Sequence, residues 1–349
     1  MSRPDRSQPL AVKHWSFAGL MLTYRCNARC RCCYVNSGPE STGQMSVEQA
    51  LTIWQGLHAA SPHGCRIHIG GGEPFLCFET LIELARRALE AKLGPLQAVE
   101  TNAFWATDEG IIRERLAALD QAGMGRLNIS CDPFHQEFIP IANVRRLSAI
   151  AGEMLGAERV RVRWRDWQEH GSDLIGLEES ARLAVIDEYL SRRRERLNGR
   201  AANELAGRLG LQSASAFADQ PCGESLLRSR HAHVDAFGLL CPGTCAGIAL
   251  GHVEQVGDVA RAWQNLRENW REMPIVGTLA ESGPWALALL AAKVGYVAKE
   301  KGYAGKCHLC WDVRKWLCNA GQWPEQLAPA GVYALQGTHN ATYPPPSSY

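Results

Sequence analysis

The chain has 349 residues, of which 46% are hydrophobic and 21% charged, and its net charge is +1. This composition is typical of a globular protein with a large core, and the near-neutral charge argues against bulk binding to nucleic acid or to an anionic membrane. No run of about 18 apolar residues predicts a membrane span, and the first residues lack the apolar stretch of a secretion signal. We therefore expect a cytoplasmic protein.

Short apolar runs alternate with amphipathic ones through the first two-thirds of the chain. Strands are predicted at 17–24, 65–71, 96–102, 126–132 and 159–164, and the helices that follow them at 46–60, 78–93, 107–123, 143–155 and 177–197. Ser46 and Thr107 are expected to cap two of these helices. The repeated order of strand and helix predicts a parallel sheet with helices outside it, that is, an α/β fold with a partial (β/α)6 barrel of the TIM type.

The pattern changes near residue 215. The segment "HAHVDAFGLLCPGTC" (231–245) predicts a β-hairpin that turns at residues 236–238, and helices are expected at 257–270 and 283–300. A smaller C-terminal α+β domain is therefore expected. The predicted organisation is an N-terminal tail at 1–16, the barrel at 17–215, the second domain at 216–320 and a Pro-rich tail at 321–349.

Cysteine is unusually frequent, with 13 residues in the chain. Four of them fall within "CNARCRCCY" (26–34), and five lie between residues 222 and 310. A reducing compartment disfavours disulfides, so bound metal is the better interpretation of both groups. The isolated residues Cys65, Cys77, Cys131 and Cys318 are expected to be small core residues.

The first group contains the spacing Cys26-x3-Cys30-x2-Cys33. Three thiolates at such a spacing can hold an iron–sulfur cubane and leave its fourth iron open. A structural zinc site would want a fourth ligand, and Cys32 could supply it, so this motif alone leaves zinc open.

A glycine turn follows one strand later, in "IGGGEPF" (69–75). Gly71 and Gly72 allow the backbone to approach a ligand, and Glu73 offers a carboxylate to an ammonium group. Ligands of parallel barrels sit at such strand ends. Alone, the turn is weak evidence for a ligand-binding site. Together with the cysteine spacing, it is strong evidence for one.

In combination, these motifs resemble those of the radical S-adenosylmethionine (SAM) enzymes. The cysteine motif of that family maps onto Cys26, Cys30 and Cys33, its Gly-Gly-Glu-Pro motif onto Gly71, Gly72, Glu73 and Pro74, its Thr-Asn-Gly onto Thr101 and Asn102, and its Ser-x-Asp onto Ser130 and Asp132. There are two departures. Cys32 stands where an aromatic residue is usual, and Ala103 replaces the glycine after Asn102.

The resemblance implies a [4Fe–4S] cluster whose open iron chelates S-adenosylmethionine. It further implies that Glu73 holds the ammonium group, that Ser130 and Asp132 reach the ribose, and that Arg161 or, preferably, Arg163 meets the carboxylate. An electron from a flavodoxin- or ferredoxin-type donor would cleave the cofactor to a 5′-deoxyadenosyl radical, which abstracts a hydrogen atom from a C–H bond.

The second cysteine group resembles the shortened "twitch" form of the SPASM extension. Cys222 and Cys241 flank the predicted hairpin, and Cys307 and Cys310 follow in "KCHLC". The resemblance implies one auxiliary [4Fe–4S] cluster held by these four residues. Cys245 or Cys318 could replace one of them or donate a hydrogen atom.

The sequence supports three hypotheses on function. The first is a radical SAM enzyme that matures a ribosomally made peptide by epimerisation, crosslinking or oxidation. The second is radical oxidation or rearrangement of a small polar metabolite such as an aminocyclitol. The third, of another class, is a non-catalytic binding module stabilised by zinc. We expect no nucleic-acid or membrane partner.

Overall fold

One open sheet of eight strands organises the described part of the chain. The computed structural model describes residues 11–243 and 245–334. The strands are β1 (Phe17–Thr23), β2 (Arg66–Gly71), β3 (Leu96–Thr101), β4 (Leu127–Ile129), β5 (Val160–Val162), β6 (His231–Val234), β7 (Leu239–Pro242) and β8 (Gly251–His252). Their order is β5-β4-β3-β2-β1-β6-β7-β8. Strands β1 to β5 run parallel, so the predicted parallel α/β sheet of a partial barrel is confirmed.

The sixth parallel strand lies beside β1 rather than beside β5. Strand β6 pairs in parallel with β1, from Phe17 opposite His231 to Leu20 opposite Val234. It is also the first strand of the predicted hairpin, since β7 returns antiparallel to it and β8 pairs with β7. The hairpin therefore continues the sheet of the barrel instead of starting a separate one.

Thirteen α-helices connect or cover these strands in the described part of the chain. They are α1 (Val47–Ala60), α2 (Phe78–Glu90), α3 (Glu109–Gln121), α4 (Pro133–Gln136), α5 (Ile141–Leu155), α6 (Arg165–His170), α7 (Glu179–Arg192), α8 (Arg200–Glu204), α9 (Gly223–Leu226), α10 (Asp258–Asn269), α11 (Pro274–Glu281), α12 (Pro284–Ala292) and α13 (Lys306–Asn319). The hydroxyl of Ser46 caps α1, as predicted. Asp108, not Thr107, caps α3, because its carboxylate accepts the N–H of Ile111.

A single large core runs from the barrel into the region of the late helices. Strand β1 lies at its centre, with every residue after Phe17 buried. None of the described helices has the length and apolar character that crossing a membrane requires.

Residues 321–334, which the sequence assigns to the Pro-rich tail, pack onto α13. Tyr333 is buried there and stacks on Trp311, with ring centroids 4.9 Å apart. The segment "YPPPSSY" lies outside the described residues.

Candidate active site and second thiol group

A cavity opens at the carboxyl ends of the parallel strands. Ten residues predicted to bind a cluster or cofactor line it: Cys26, Cys30, Cys33, Gly71, Gly72, Glu73, Pro74, Asn102, Ser130 and Arg163. Four further residues line the cavity although they belong to none of the motifs used above: Tyr34, Ser37, Glu100 and His135. Because these residues come from loops after five different strands, the parallel topology is what assembles the site.

A buried arginine from α8 fixes the shape of the cysteine loop. The guanidinium of Arg200 donates to the carbonyls of Cys30 at 3.0 Å and Ser37 at 2.6 Å, and its backbone N–H donates to the carbonyl of Cys33 at 2.8 Å. Gly199 permits this approach, since a Cβ at that position would lie 2.5 Å from the Cys33 carbonyl oxygen. The loop therefore depends on a residue 170 positions later in the chain.

The loop thiols are held in a poorly solvated place. Burial raises the pKa of Cys26 to about 12 and the pKa of Cys30 well above its ordinary value. Backbone N–H groups point at two of the sulfur atoms, from Ala28 to Cys26 at 3.5 Å and from Ser37 to Cys33 at 3.2 Å. Buried thiolates need a positive partner, and cluster iron is a partner of that kind. The loop thus fits a thiolate-ligated cluster.

The two glycines of the turn are required by close backbone packing. A Cβ on Gly71, whose φ is 128°, would lie 2.4 Å from the carbonyl oxygen of Thr23, and one on Gly72 would lie 2.1 Å from that of Arg25. From the sequence, these glycines are expected to let a ligand approach the backbone. In the structure they allow the segment that leads into the cysteine loop to lie against the end of β2.

Glu73 presents a buried carboxylate to the cavity. Only 1% of the residue is exposed. One carboxylate oxygen accepts from Phe75 N–H at 3.1 Å and Thr101 Oγ1 at 2.9 Å, and the other accepts from Asn102 N–H at 2.7 Å. Burial nevertheless raises its pKa to about 7. No described residue forms an ion pair with it, so the carboxylate is suited to an incoming cation.

Asn102 joins the third strand end to the cysteine loop. Its Nδ2 donates to Asn27 Oδ1 at 2.9 Å and lies 3.8 Å from Cys26 Sγ. Ala103 follows with φ of 68°, a left-handed conformation that glycine adopts more readily. This geometry gives a physical reason for the glycine that is usual at this point of the motif.

The structure places Asp132 behind the cavity wall rather than on it. Its fully buried carboxylate caps α4 and accepts from the N–H of His135 at 3.1 Å. The same oxygen lies 2.8 Å from Nδ1 of His135, and the other lies 3.5 Å from Nη1 of Arg163. Asp132 therefore orients two groups that do line the cavity, while Ser130 lines it directly. Arg163 also pairs with Glu195 at 3.0 Å.

Residues 20–151 match a family model described as the radical SAM superfamily. These residues are similar to that superfamily, and they make up 132 of the 349 residues of the chain. The matched region carries the cysteine loop, the glycine turn, Asn102 and Ser130, but ends before Arg163.

Several solved structures are similar to the chain. BtrN in complex with AdoMet and 2-DOIA is 17% identical, with a TM-score of 0.42, over 74% of this chain and 87% of that chain. Native anSMEcpe with bound AdoMet and Cp18Cys peptide is 15% identical, with a TM-score of 0.42, over 74% of this chain and 82% of that chain. SuiB of Streptococcus suis bound to S-adenosylmethionine is 12% identical, with a TM-score of 0.32, over 66% of this chain and 60% of that chain. No curated protein sequence matches the chain significantly.

Four cysteines beyond the matched region line a second, smaller pocket: Cys222, Cys245, Cys307 and Cys310. Cys222 precedes α9, and Cys307 and Cys310 lie in the first turn and a half of α13, three positions apart and therefore on one helix face. Three of the predicted four residues are thus brought together, with Cys245 as the fourth.

Cys241, the remaining residue of the predicted set, has different surroundings. It lies in β7 and does not line the pocket of the other thiols. Its side chain packs instead with Leu239, Ala249 and Ala328. Side chains alternate between the two faces of a strand, and the register of the hairpin turns this thiol into the apolar cluster. Cys318 does not line the pocket either.

Positive charge surrounds the second thiol group. Arg196, Lys306 and Arg314 line the pocket, and no carboxylate is among its described lining residues. Arg314 is only 2% exposed and donates from Nε to Cys310 Sγ at 3.3 Å. Its other partners are neutral: the carbonyl of Ala246, the hydroxyl of Tyr333 and Oδ1 of Asn198. A buried guanidinium without a carboxylate is costly unless another anion lies close to it.

Proposed function

We propose that the protein is a radical SAM enzyme with two iron–sulfur clusters. The observation that carries the proposal is the cavity that unites the thiols of Cys26, Cys30 and Cys33 with the unpaired carboxylate of Glu73. Bound in this cavity, a [4Fe–4S] cluster and S-adenosylmethionine supply a 5′-deoxyadenosyl radical that takes a hydrogen atom from a substrate C–H bond. A flavodoxin- or ferredoxin-type protein is the electron donor in this proposal.

The protein's own side chains would position the cofactor. Glu73 would accept the ammonium group, and a buried charge pair of this kind is strongly favoured once formed, because breaking it leaves an isolated buried charge. Arg163 would meet the carboxylate group while Asp132 and Glu195 hold its guanidinium. Tyr34 and His135 also line this cavity, and Ser130 would contact the ribose.

We further propose that Cys222, Cys245, Cys307 and Cys310 hold an auxiliary [4Fe–4S] cluster. Such a cluster with four thiolates is an anion, and the buried Arg314 would be its counter-charge. The N-terminus of α13, with its positive dipole end, adds to this preference.

The proposed substrate is a ribosomally made peptide, which would be epimerised, crosslinked or oxidised. This assignment rests on the resemblance of the second cysteine group to the twitch extension. A small polar metabolite is the alternative. Co-expression with a candidate precursor peptide, followed by mass spectrometry in deuterated water, separates the outcomes. Uptake of one deuterium indicates epimerisation, and loss of two hydrogens indicates crosslinking or oxidation. An unchanged peptide, with a metabolite fraction that accelerates cofactor cleavage, overturns the peptide assignment.

The enzyme class is tested by anaerobic incubation of the reconstituted protein with dithionite and S-adenosylmethionine. We expect slow formation of 5′-deoxyadenosine and methionine. Cys33→Ala should abolish it, because the cluster loses a ligand, whereas Cys32→Ala is the matched control and should retain it. A colourless parent protein with no 5′-deoxyadenosine formation would overturn the proposal. Loss in Cys32→Ala with retention in Cys33→Ala would overturn the ligand assignment.

A further inference from the structure

Three histidines converge on the cavity face of the sheet, beneath the cavity floor. His68 on β2 lies two residues before Gly70, which lines the cavity, so both face the same side of the sheet. His231 and His233 lie on β6, and one ring nitrogen from each of the three histidines lies within 4.8 Å of the others. Nε2 of His68 and Nε2 of His231 are 3.0 Å apart. The group is separate from both sets of thiols.

The strand register and a glycine create this convergence. Gly19 on β1 pairs with His68 on one side and with His233 on the other. A Cβ at position 19 would lie 2.5 Å from His68 Nε2 and 2.6 Å from His233 Nε2. The missing side chain therefore leaves the space in which the two imidazoles meet above β1. Any other residue at this position would push them apart.

One ring nitrogen of His233 has a fixed acceptor. Nδ1 of His233 hydrogen-bonds to the carbonyl of Gly243. A carbonyl partner places the proton on Nδ1 and leaves a lone pair on Nε2. Nδ1 of His68 lies 3.3 Å from a carboxylate oxygen of Glu100, but the two atoms do not have hydrogen-bonding geometry. The Nε2 lone pair of His233 therefore faces the small space beside Gly19 that Nε2 of His68 also borders.

Aromatic packing holds these rings in place. The ring of Phe17 stacks on His231 with centroids 4.7 Å apart and lies 4.9 Å from the ring of His68. Imidazole rings whose orientation is fixed in this way are arranged in advance for binding a metal ion.

We propose that His68, His231 and His233 bind one divalent transition-metal ion, with Zn²⁺ as the best match. Three imidazole nitrogens form the protein part of a known class of four-coordinate zinc sites, and at Zn–N distances near 2.0–2.1 Å the nitrogens stand about 3.3 Å apart. The separation of 3.0 Å between the first two nitrogens is close to that value. Glu100 and the Gly243 carbonyl would be the outer partners that orient the rings. The ion would link β2 to β6 across β1.

The site is tested on the full chain with its thiols occupied by iron–sulfur clusters. After anaerobic reconstitution, the protein is incubated with Zn²⁺, desalted and analysed for zinc per chain and by zinc-edge X-ray absorption. We expect one zinc with a first shell of nitrogen or oxygen and the scattering pattern of imidazole. A sulfur shell, or no retained zinc, would overturn the proposal, and neither result depends on cofactor cleavage.

Variants then locate the ion. His231→Gln is expected to weaken zinc binding by about 100-fold or more, and Gly19→Ala to abolish it without removing a ligand. His170→Gln, at the exposed end of α6, is the matched control and should bind like the parent. Circular dichroism and the iron content of each variant report on folding. Folded variants that retain zinc at the parent level would show that the histidines form only a hydrogen-bonded group.

Discussion

The phenol of Tyr24, in the loop after β1, donates a hydrogen bond to Oδ2 of Asp235 at 2.8 Å. Asp235 is fully buried in the turn of the hairpin, where its other oxygen accepts the N–H groups of Phe237 and Leu239, each at 2.9 Å. One side chain therefore closes the turn and ties it to the loop that leads to the cysteines. Burial raises the pKa of Asp235 to about 6.

This raised pKa predicts a pH dependence of stability. A carboxyl group whose pKa is higher in the folded than in the unfolded chain binds more protons when folded. Its contribution is therefore fully present below about pH 4 and is lost as the pH rises to about 6. Asp235→Asn keeps an acceptor for the turn and carries no charge. We expect this variant to equal or exceed the parent in stability at about pH 7.5, by up to about 2 kcal/mol, and to lack that part of the pH dependence.

Anaerobic urea unfolding at about pH 5 and about pH 7.5 measures this effect. Tyr24→Phe serves as the control, since it removes one hydrogen bond and leaves the carboxyl group to titrate. A variant Asp235→Asn that is less stable than the parent at the higher pH by more than about 1 kcal/mol contradicts the assignment.

The second thiol group leads to a prediction about two neighbouring cysteines. Cys245→Ala is expected to lose about half of the reconstituted iron, because an auxiliary cubane would lose a ligand. Cys241→Ala is the matched control four positions away and should keep its iron, since its thiol packs among apolar side chains. Iron per chain and the visible spectrum after anaerobic reconstitution check both. Loss of iron in Cys241→Ala but not in Cys245→Ala would instead favour Cys241 as the fourth ligand, as the sequence alone predicts.

Arg200→Lys is expected to loosen the cysteine loop. One ammonium group cannot span the carbonyls of Cys30 and Ser37 as the planar guanidinium does, so at least one buried carbonyl loses its partner, at a cost of about 1–3 kcal/mol. We expect faster loss of iron to a chelator and slower cofactor cleavage. Arg208→Lys, which alters an exposed ion pair with Asp187, is the control. Equal rates of iron loss in the two variants would refute the role given to Arg200.

Glu73→Gln is expected to weaken the binding of S-adenosylmethionine, because the ammonium group loses its charge partner. The pKa of about 7 adds a second expectation. As the pH falls below about 7, Glu73 becomes protonated in the free protein, and the affinity of the parent should fall by up to tenfold per pH unit. Anaerobic equilibrium binding across this range measures both effects. Glu83→Gln on the exposed face of α2 is the control, and a pH-independent parent affinity would contradict the assignment.

The sequence predicts what local patterns encode. The strand and helix periods identify the five βα units, and cysteine spacing with strand-end motifs identifies ten cavity residues. The position of β6 beside β1 has no local signal in the sequence, because the pairing of strands more than 200 residues apart is determined by tertiary packing. Arg200 and Arg314 were missed for the same reason: each looks like an ordinary helix arginine until the fold buries it.

Two predicted site residues do not line the pockets, and local signals in the sequence are consistent with this. Asp132 precedes Pro133, and an acidic residue followed by proline is typical of a helix N-terminus, which is the role it takes. Cys241 stands in a strand with Leu239, and residues two apart on a strand share a face, so its apolar surroundings could have been anticipated. Its neighbour Cys245 lies beyond the strand end, where the chain is free to turn toward the late helix.

Strand β1 is central only because the hairpin returns to it. In a fragment that ended before residue 216, one side of β1 would lose every main-chain partner that β6 now provides. The strand is apolar and buried along almost its whole length, and it would become an exposed edge. Such an edge recruits strands from other molecules. The carboxyl-terminal third therefore protects the edge of β1 from pairing with other molecules. We expect the isolated barrel to aggregate even with its cysteine loop intact.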